Sequence, residues 1–256
     1  MPTFEWNRST WNGTYDWSQA GEEWSKNWGG SECQWYGSIL PRIVRFLPAP
    51  RLLEIAPGFG RWTRFLLRNC EGFTGVDLSD RCIEFCRERF SGYPNALFHV
   101  NDGRSLSEVE DKSIDFVFSF DSLVHAEADI LEEYIRDIAR ILKPSGAGFV
   151  HHSNLGAYPP ETPSPHMRSR SMTADKFAGY CEATGLVCVS QEIVNWGQSE
   201  LIDCLSTFTP QGSRWARPCV RVENARFMLE AELLKARSEL YYSAPHSEII
   251  PASATV

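Results

Sequence analysis

No two cysteines of this chain stand in a CxxC pair; the eight are scattered over 256 residues. That spacing argues against a zinc or dithiol redox motif and for reduced core and surface thiols. No apolar run is long and unbroken enough to cross a bilayer, so membrane insertion is not expected. Basic residues are not in excess: the formal charge is -8, which leaves no footprint for nucleic acid. Met1 to Phe46 lacks the basic, apolar, small-residue order of a secretory leader. A cytoplasmic location is therefore expected, and the triplets Asn7-Arg-Ser and Asn12-Gly-Thr are not read as glycosylation sites. The G-x-G-x-x-G spacing of a dinucleotide fingerprint is also missing, which counts against a nicotinamide-dependent oxidoreductase.

From residue 51 onward, short β-rich runs alternate with helical patterns, the signature of stacked βα units and a mainly parallel sheet. Seven strands are predicted, over 51–56, 73–78, 96–100, 114–120, 146–153, 186–194 and 201–208. Helices are predicted near 60–70, 79–90, 127–142 and 173–184, the third closed by Lys143-Pro144 and the fourth by Gly185. Only six residues separate the last two strands, too few for a helical crossover, so an antiparallel hairpin is expected at one sheet edge.

Two flanks fall outside this alternation. Residues 1–47 hold six of the nine tryptophans and are expected to form an aromatic-rich helical lid, with Trp24, Trp28 and Trp35 in a mobile cover. Residues 210–256 are expected to hold a helix over VENARFMLEAELLKARSELYY and a flexible tail, disordered in its last ten residues. One domain, with its core over 48–209, is the expectation for this length.

The stretch LLEIAPGFGRWTRFLL, Leu52 to Leu67, runs from a buried strand through a Pro-Gly-x-Gly turn into an amphipathic helix. In open α/β sheets ligands bind beyond the carboxyl ends of the strands, and glycines in the first strand-to-helix turn let the backbone approach them. Gly58 and Gly60 occupy that turn, and Glu54 precedes it. A carboxylate there would repel a pyrophosphate but favour an amino group, so the turn suits a ligand with a nucleoside and an amine.

In their order, these motifs resemble those of class I S-adenosylmethionine-dependent methyltransferases, from about Arg51 to Phe208. The fold this implies is the Rossmann-like, seven-stranded α/β methyltransferase sheet, mainly parallel, with an antiparallel hairpin edge and helices on both faces. The resemblance also implies S-adenosyl-L-methionine as cofactor. Its methionine part would lie in the turn of Glu54, Ala56, Gly58 and Gly60, with Ala56 standing where many members have glycine. Asp77, followed by Leu78, would hold the ribose hydroxyls; Asp102, followed by Gly103, would contact adenine; Phe120 would touch the cofactor through its backbone. IDFVFSFDSLVHAEAD and IARILKPSGAGFVHHSN resemble the family's strand-four and strand-five segments.

Methyl transfer needs an acceptor aligned and its proton accepted. The polar residues at the ends of strands four, five and seven are the candidates. Alternation along strand five sends one histidine of HHSN to the ligand edge. With Val150 taken as inward, His152 is the expected general base, and Asp121 and His125 are further catalytic candidates. An imidazole near its ordinary pKa of about 6.5 favours a hydroxyl acceptor. Asp121, His152 and Asp203 could instead gather Mg2+, which some sugar methyltransferases require. The layout is similar to bacterial sugar O-methyltransferases of polysaccharide and natural-product biosynthesis, loosely to that of methylmannose polysaccharide assembly. That likeness implies a sugar or oligosaccharide hydroxyl as acceptor, with Trp28, His151 and Trp196 as substrate contacts, since aromatic faces pack on sugar C–H surfaces. A phenolic or amine acceptor is the alternative, and a homodimer is left open.

Overall fold

The computed structural model describes residues 3–242, so the expected disorder of residues 247–256 falls outside the described residues. Its centre is one sheet of eight strands: β1 (Ala49–Ile55), β2 (Cys70–Asp77), β3 (Ala96–Val100), β4 (Ile114–Ser119), β5 (Leu142–Ser153), β6 (Leu186–Val194), β7 (Asp203–Pro210) and β8 (Val220–Asn224). They lie in the order β3-β2-β1-β4-β5-β7-β6-β8. Strand β7 runs antiparallel to both its neighbours, and every other pair is parallel.

The expectation of seven strands and a hairpin edge needs correcting, because β8 pairs along β6 from Ser190 opposite Val220 to Val194 opposite Asn224. Val222 to Asn224 read from sequence as the start of a helix. In the structure, Arg221 is bonded to Gln191 Oε1 at 2.7 Å and to Asp175 at 2.7 Å, which pins the segment as a strand. The helix begins only at Phe227.

Among the described residues, eight α-helices accompany the strands: α1 (Phe4–Ser9), α2 (Ser31–Gln34), α3 (Leu40–Ile43), α4 (Thr63–Leu66), α5 (Asp80–Arg89), α6 (Ala128–Ile141), α7 (Ala174–Ala183) and α8 (Phe227–Tyr242). Ser79 caps α5 by accepting the Cys82 N–H, and Thr173 caps α7 by accepting the Lys176 N–H; such side chains satisfy amides that a helix start leaves open. Helix α6 buries Ile130, Leu131, Tyr134, Ile135, Ile138 and Ile141 on one stripe. The helix expected over 60–70 is cut down to α4 and a following 3-10 turn at Leu67–Asn69. No described helix is long and apolar enough to cross a membrane.

Successive strand residues feed opposite cores, as the pleat dictates. Leu52, Phe116 and Phe149 join one layer with Trp28, Trp35, Ile39 and Phe227. Leu53, Val117 and Val150 join the other with Ile135 and Phe177. Trp28 and Trp35, expected in a mobile cover, are therefore structural. The first part of the segment behaves differently: Trp11, Tyr15, Trp17 and Trp24 pack on one another and on Phe59 in a small separate cluster.

Candidate functional site

Past Ile55 the chain turns left-handed three times, at Ala56 (φ 58), Gly58 (φ 57) and Gly60 (φ 80). The Asp77 carboxylate at the end of β2 holds this turn. Its Oδ2 accepts the Gly58 N–H at 3.0 Å and its Oδ1 the Ser79 N–H at 2.9 Å. Burial pushes the Asp77 carboxyl up to about 6, against the Ser79, Gly58 and Leu78 amides that pull it down. It is thus ionised at neutral pH, and of its four lone-pair sites one stays free for a ribose hydroxyl. A Cβ on Gly58 would lie 2.9 Å from the Trp17 ring, and one on Gly103 2.7 Å from Phe4.

Above the turn is a cavity with about 900 Å³ of empty space, its open mouth included. Ala56, Gly58, Asp77, Leu78, Gly103 and Phe120 line it, six of the nine residues expected to meet a cofactor. The glycine turn and the ionised Asp77 beside it fit a nucleoside with a methionine tail. The other three lie elsewhere. Glu54 is buried beneath the turn, accepting the Thr63 hydroxyl at 2.5 Å. Burial pushes its carboxyl up to about 8, so at neutral pH it has no charge to offer an amine. Gly60 faces Phe90. Asp102 is used by its own loop, accepting the Arg104 and Ser105 amides at 2.9 and 2.7 Å.

On the opposite wall stand Asp121 and His125. His125 Nδ1 lies 3.0 Å from the Met167 carbonyl; a carbonyl only accepts, so Nδ1 carries the proton and Nε2 keeps its lone pair. Burial, with Arg168 nearby, pushes this imidazole down to about 4, so it is neutral at pH 7. Asp121 has φ 63. Its backbone N–H donates to His151 Nδ1 at 3.2 Å, and its Oδ2 accepts from Arg61 at 2.9 Å.

The structure corrects the expectation for strand five. His152 shares a face with Val150, away from the cavity, stacks on Phe177 at 4.2 Å and bonds Ser206 Oγ at 2.8 Å. Fully buried, with its pKa pushed down to about 4, it has no route to a substrate. The Mg2+ set fails as well. Asp203 is clasped by Arg168 at 2.9 Å, a guanidinium that would repel a cation, and His152 points to the other face. Among the described residues, no three His, Cys, Asp or Glu side chains are grouped to hold a metal. Trp28, His151 and Trp196, the expected substrate contacts, stack in the layer behind the cavity, the first two rings each 5.0 Å from Trp196. Sequence reasoning missed Arg61, Trp11 and Trp17 on the wall. Arg61 directly follows the Gly-x-Gly turn, which was a usable signal.

Residues 52–146 match the sequence model of the methyltransferase domain family. Phosphoethanolamine N-methyltransferase 1 of Triticum aestivum is 31% identical over 119 residues, covering 44% of this chain but 24% of that protein. A demethylmenaquinone methyltransferase of Tropheryma whipplei is 28% identical over 95 residues, covering 37% and 38%. The chain thus spans well under half the length of these relatives. A Clostridium acetobutylicum S-adenosylmethionine-dependent methyltransferase shares the fold with a TM-score of 0.56 at 14% identity, over 77% of this chain and 96% of that one. The PH0226 protein of Pyrococcus horikoshii does so with 0.54 at 24% identity, over 73% and 98%. The match to the methyltransferase domain model thus runs from β1 into the start of β5, and the chain shares its fold with a solved S-adenosylmethionine-dependent methyltransferase.

Proposed function

We propose that the protein moves the methyl group of S-adenosylmethionine to a hydroxyl of a small molecule. One observation carries this reading: a single cavity has the glycine turn with Asp77 on one wall and a neutral His125, its Nε2 lone pair open, on the other. When bound, the cofactor supplies a methyl group already activated on a cationic sulfur. The chain's part is to orient an acceptor, take its proton and exclude water. His125 Nε2 takes the hydroxyl proton, and Trp11, Trp17 and Trp24 cover the site.

An amine acceptor, as the wheat relative's name indicates for that enzyme, loses its proton to solvent before it enters and attacks as the neutral amine, so the transfer step itself gives His125 no proton to take.

Calorimetric titration with adenosylhomocysteine tests the cofactor half. Asp77→Ala should weaken binding by about 1.5–3 kcal/mol, the worth of hydrogen bonds to a charged group. Unchanged affinity in the folded variant would remove Asp77 from the role, and no binding by the native chain would end the reading.

A further inference from the structure

We infer that the acceptor is an uncharged aromatic alcohol, of the phenol or naphthol class, presenting one hydroxyl; this rests on the methyl-transfer reading and deepens it. The charges on the acceptor side of the cavity are already matched. Arg61, the one cationic side chain lining it among the described residues, donates to Asp121 at 2.9 Å and to Ser25 at 3.1 Å. Its guanidinium also lies 4.4 Å from the Trp62 ring centre. Asp121 has Arg61 on one oxygen and Arg168 3.9 Å from the other. A carboxylate or phosphate on the acceptor would meet a cation already neutralised, and an ammonium would meet an anion already neutralised. Either would be stripped of water without compensation.

The neutral hydrogen-bonding groups are also occupied. The Asn7 amide donates to the Thr3 and His125 carbonyls at 3.2 Å each and accepts the Trp11 Nε1–H at 3.1 Å. The Ser122 hydroxyl donates to the Ala56 carbonyl at 3.0 Å, and the Trp17 Nε1–H to the Trp11 carbonyl at 3.1 Å. The Tyr134 hydroxyl accepts from the Asn101 amide, just past β3, and so stands with Asp77 on the cofactor side. Among these neutral groups one acceptor stays open, the lone pair on His125 Nε2. A single hydroxyl suits it, donating its proton to that nitrogen. A hexose would bring several more hydroxyls against a wall that is mostly aromatic and aliphatic, with Trp11, Trp24, Phe120, Leu123, Ala126 and Ile130, and each hydroxyl buried there without a partner is costly. A flat ring instead finds the aromatic faces of Trp11, Trp24 and Phe120.

The test is calorimetric titration of the full chain with 2-naphthol, 6-hydroxy-2-naphthoate, methyl glucoside and phosphoethanolamine, alongside adenosylhomocysteine. The naphthol should bind about 100-fold more tightly than its carboxylate analogue, the effect of burying one uncompensated charge. Methyl glucoside and phosphoethanolamine should show no saturable binding at millimolar concentration. Asp121→Asn, which releases the Arg61 charge, should shift the naphthol-to-naphthoate ratio toward naphthoate by about tenfold or more. Equal or tighter binding of the glucoside, phosphoethanolamine or naphthoate by the native chain would overturn the inference, as would an unchanged ratio in folded Asp121→Asn. A naphthol preference without adenosylhomocysteine binding would end the methyl-transfer reading while leaving the cavity's ligand class standing.

Discussion

Among the described residues, two places bring histidine and aspartate together, and only one opens on the cavity. At the end of β4, His125 keeps a free Nε2 and Asp121 borders open space. At the paired ends of β5 and β7, His151 Nε2 lies 3.1 Å from Asp203 Oδ2, out of line for a full hydrogen bond, and both side chains are fully buried. Burial alone would raise the Asp203 pKa, but Arg168 and His151 together outweigh it and hold the carboxyl down at about 2. The residue types are the same; what separates a reactive site from a structural one is whether a lone pair is left over and can be reached.

The strongest way to break that contrast is to remove each imidazole in turn. His125→Gln should lower single-turnover methylation by about 10²–10⁴-fold, the usual worth of a general base, with adenosylhomocysteine affinity nearly intact. His152→Gln should leave the rate of the folded protein almost unchanged. A folded His152→Gln protein as slow as His125→Gln would reverse the assignment.

The two arginines sharpen the contrast through stability. Arg168→Met strands the Asp203 carboxylate in a fully buried position and should cost about 3–5 kcal/mol in chemical denaturation. Arg61→Met leaves Asp121 beside the cavity, where water reaches it, and should cost less than half as much. Equal losses would show that both aspartates are equally shut away.

These outcomes also explain what the sequence could and could not disclose. Strands β1 to β7 were legible because each is an apolar or alternating run bounded by turns, and Asp77 was legible because its distance from the glycine turn follows from the βαβ unit. Strand β8 was not, since Val220 to Glu223 are exposed and their pairing is decided by contacts with β6 and α7. Alternation alone leaves the phase of β5 one residue out. Val150 faces α6 and α7, so His152 goes with it and His151 goes to the other layer. That Asp203 is neutralised could not be seen either, because Arg168 is 35 residues away in the chain. Among the tryptophans, composition marked the segment but no 3.6-residue period sorted it. Residues Thr10–Thr14 and Trp35–Ile39 are π-helical and Glu22–Trp28 is 3-10, so the inward face drifts.

A smaller effect separates the two carboxyls at the ends of β1 and β2. Burial raises both, Glu54 from 4.5 to about 8 and Asp77 from 3.8 to about 6. A carboxyl with a raised folded pKa contributes stability that is fully present below its unfolded value and lost as pH rises through the folded one. His125 and His152, at about 4 when folded against 6.5, act oppositely, adding stability as pH rises from 4 to 6.5. Between pH 6.5 and 8 only Glu54 of these four still titrates differently in the two states. Native protein should lose about 2 kcal/mol across that window, at about 1.4 kcal/mol per pH unit. Glu54→Gln keeps a partner for Thr63 and should be flat there. A variant with the native slope would show that Glu54 is already ionised in the fold.

The smallest expected effect lies within the turn itself, where Ala56 and Gly58 share one backbone conformation, with φ 58 and 57, but not one environment. A left-handed alanine carries about 1–2 kcal/mol of steric strain. Replacing it with glycine relieves that strain but makes the unfolded chain freer, which costs about 0.4–1 kcal/mol. It also removes a methyl group that packs against the core layer of Leu53 and Ile55, worth up to about 0.8 kcal/mol. These terms nearly cancel, so Ala56→Gly should move stability by less than about 1 kcal/mol in denaturant melts. Gly58→Ala has no such offset. The same strain appears, and the new Cβ would press on Trp17 at 2.9 Å, displacing the ring that stacks on Phe59 at 4.5 Å. Its stability should fall by more than the Ala56 change in either direction, and adenosylhomocysteine affinity should fall with it. If Ala56→Gly instead stabilised the fold by well over 1 kcal/mol, its methyl group would be idle and the strain at the turn uncompensated; if Gly58→Ala were silent, Trp17 would not rest on the turn, and the aromatic cover would be loose where the cofactor is expected to enter.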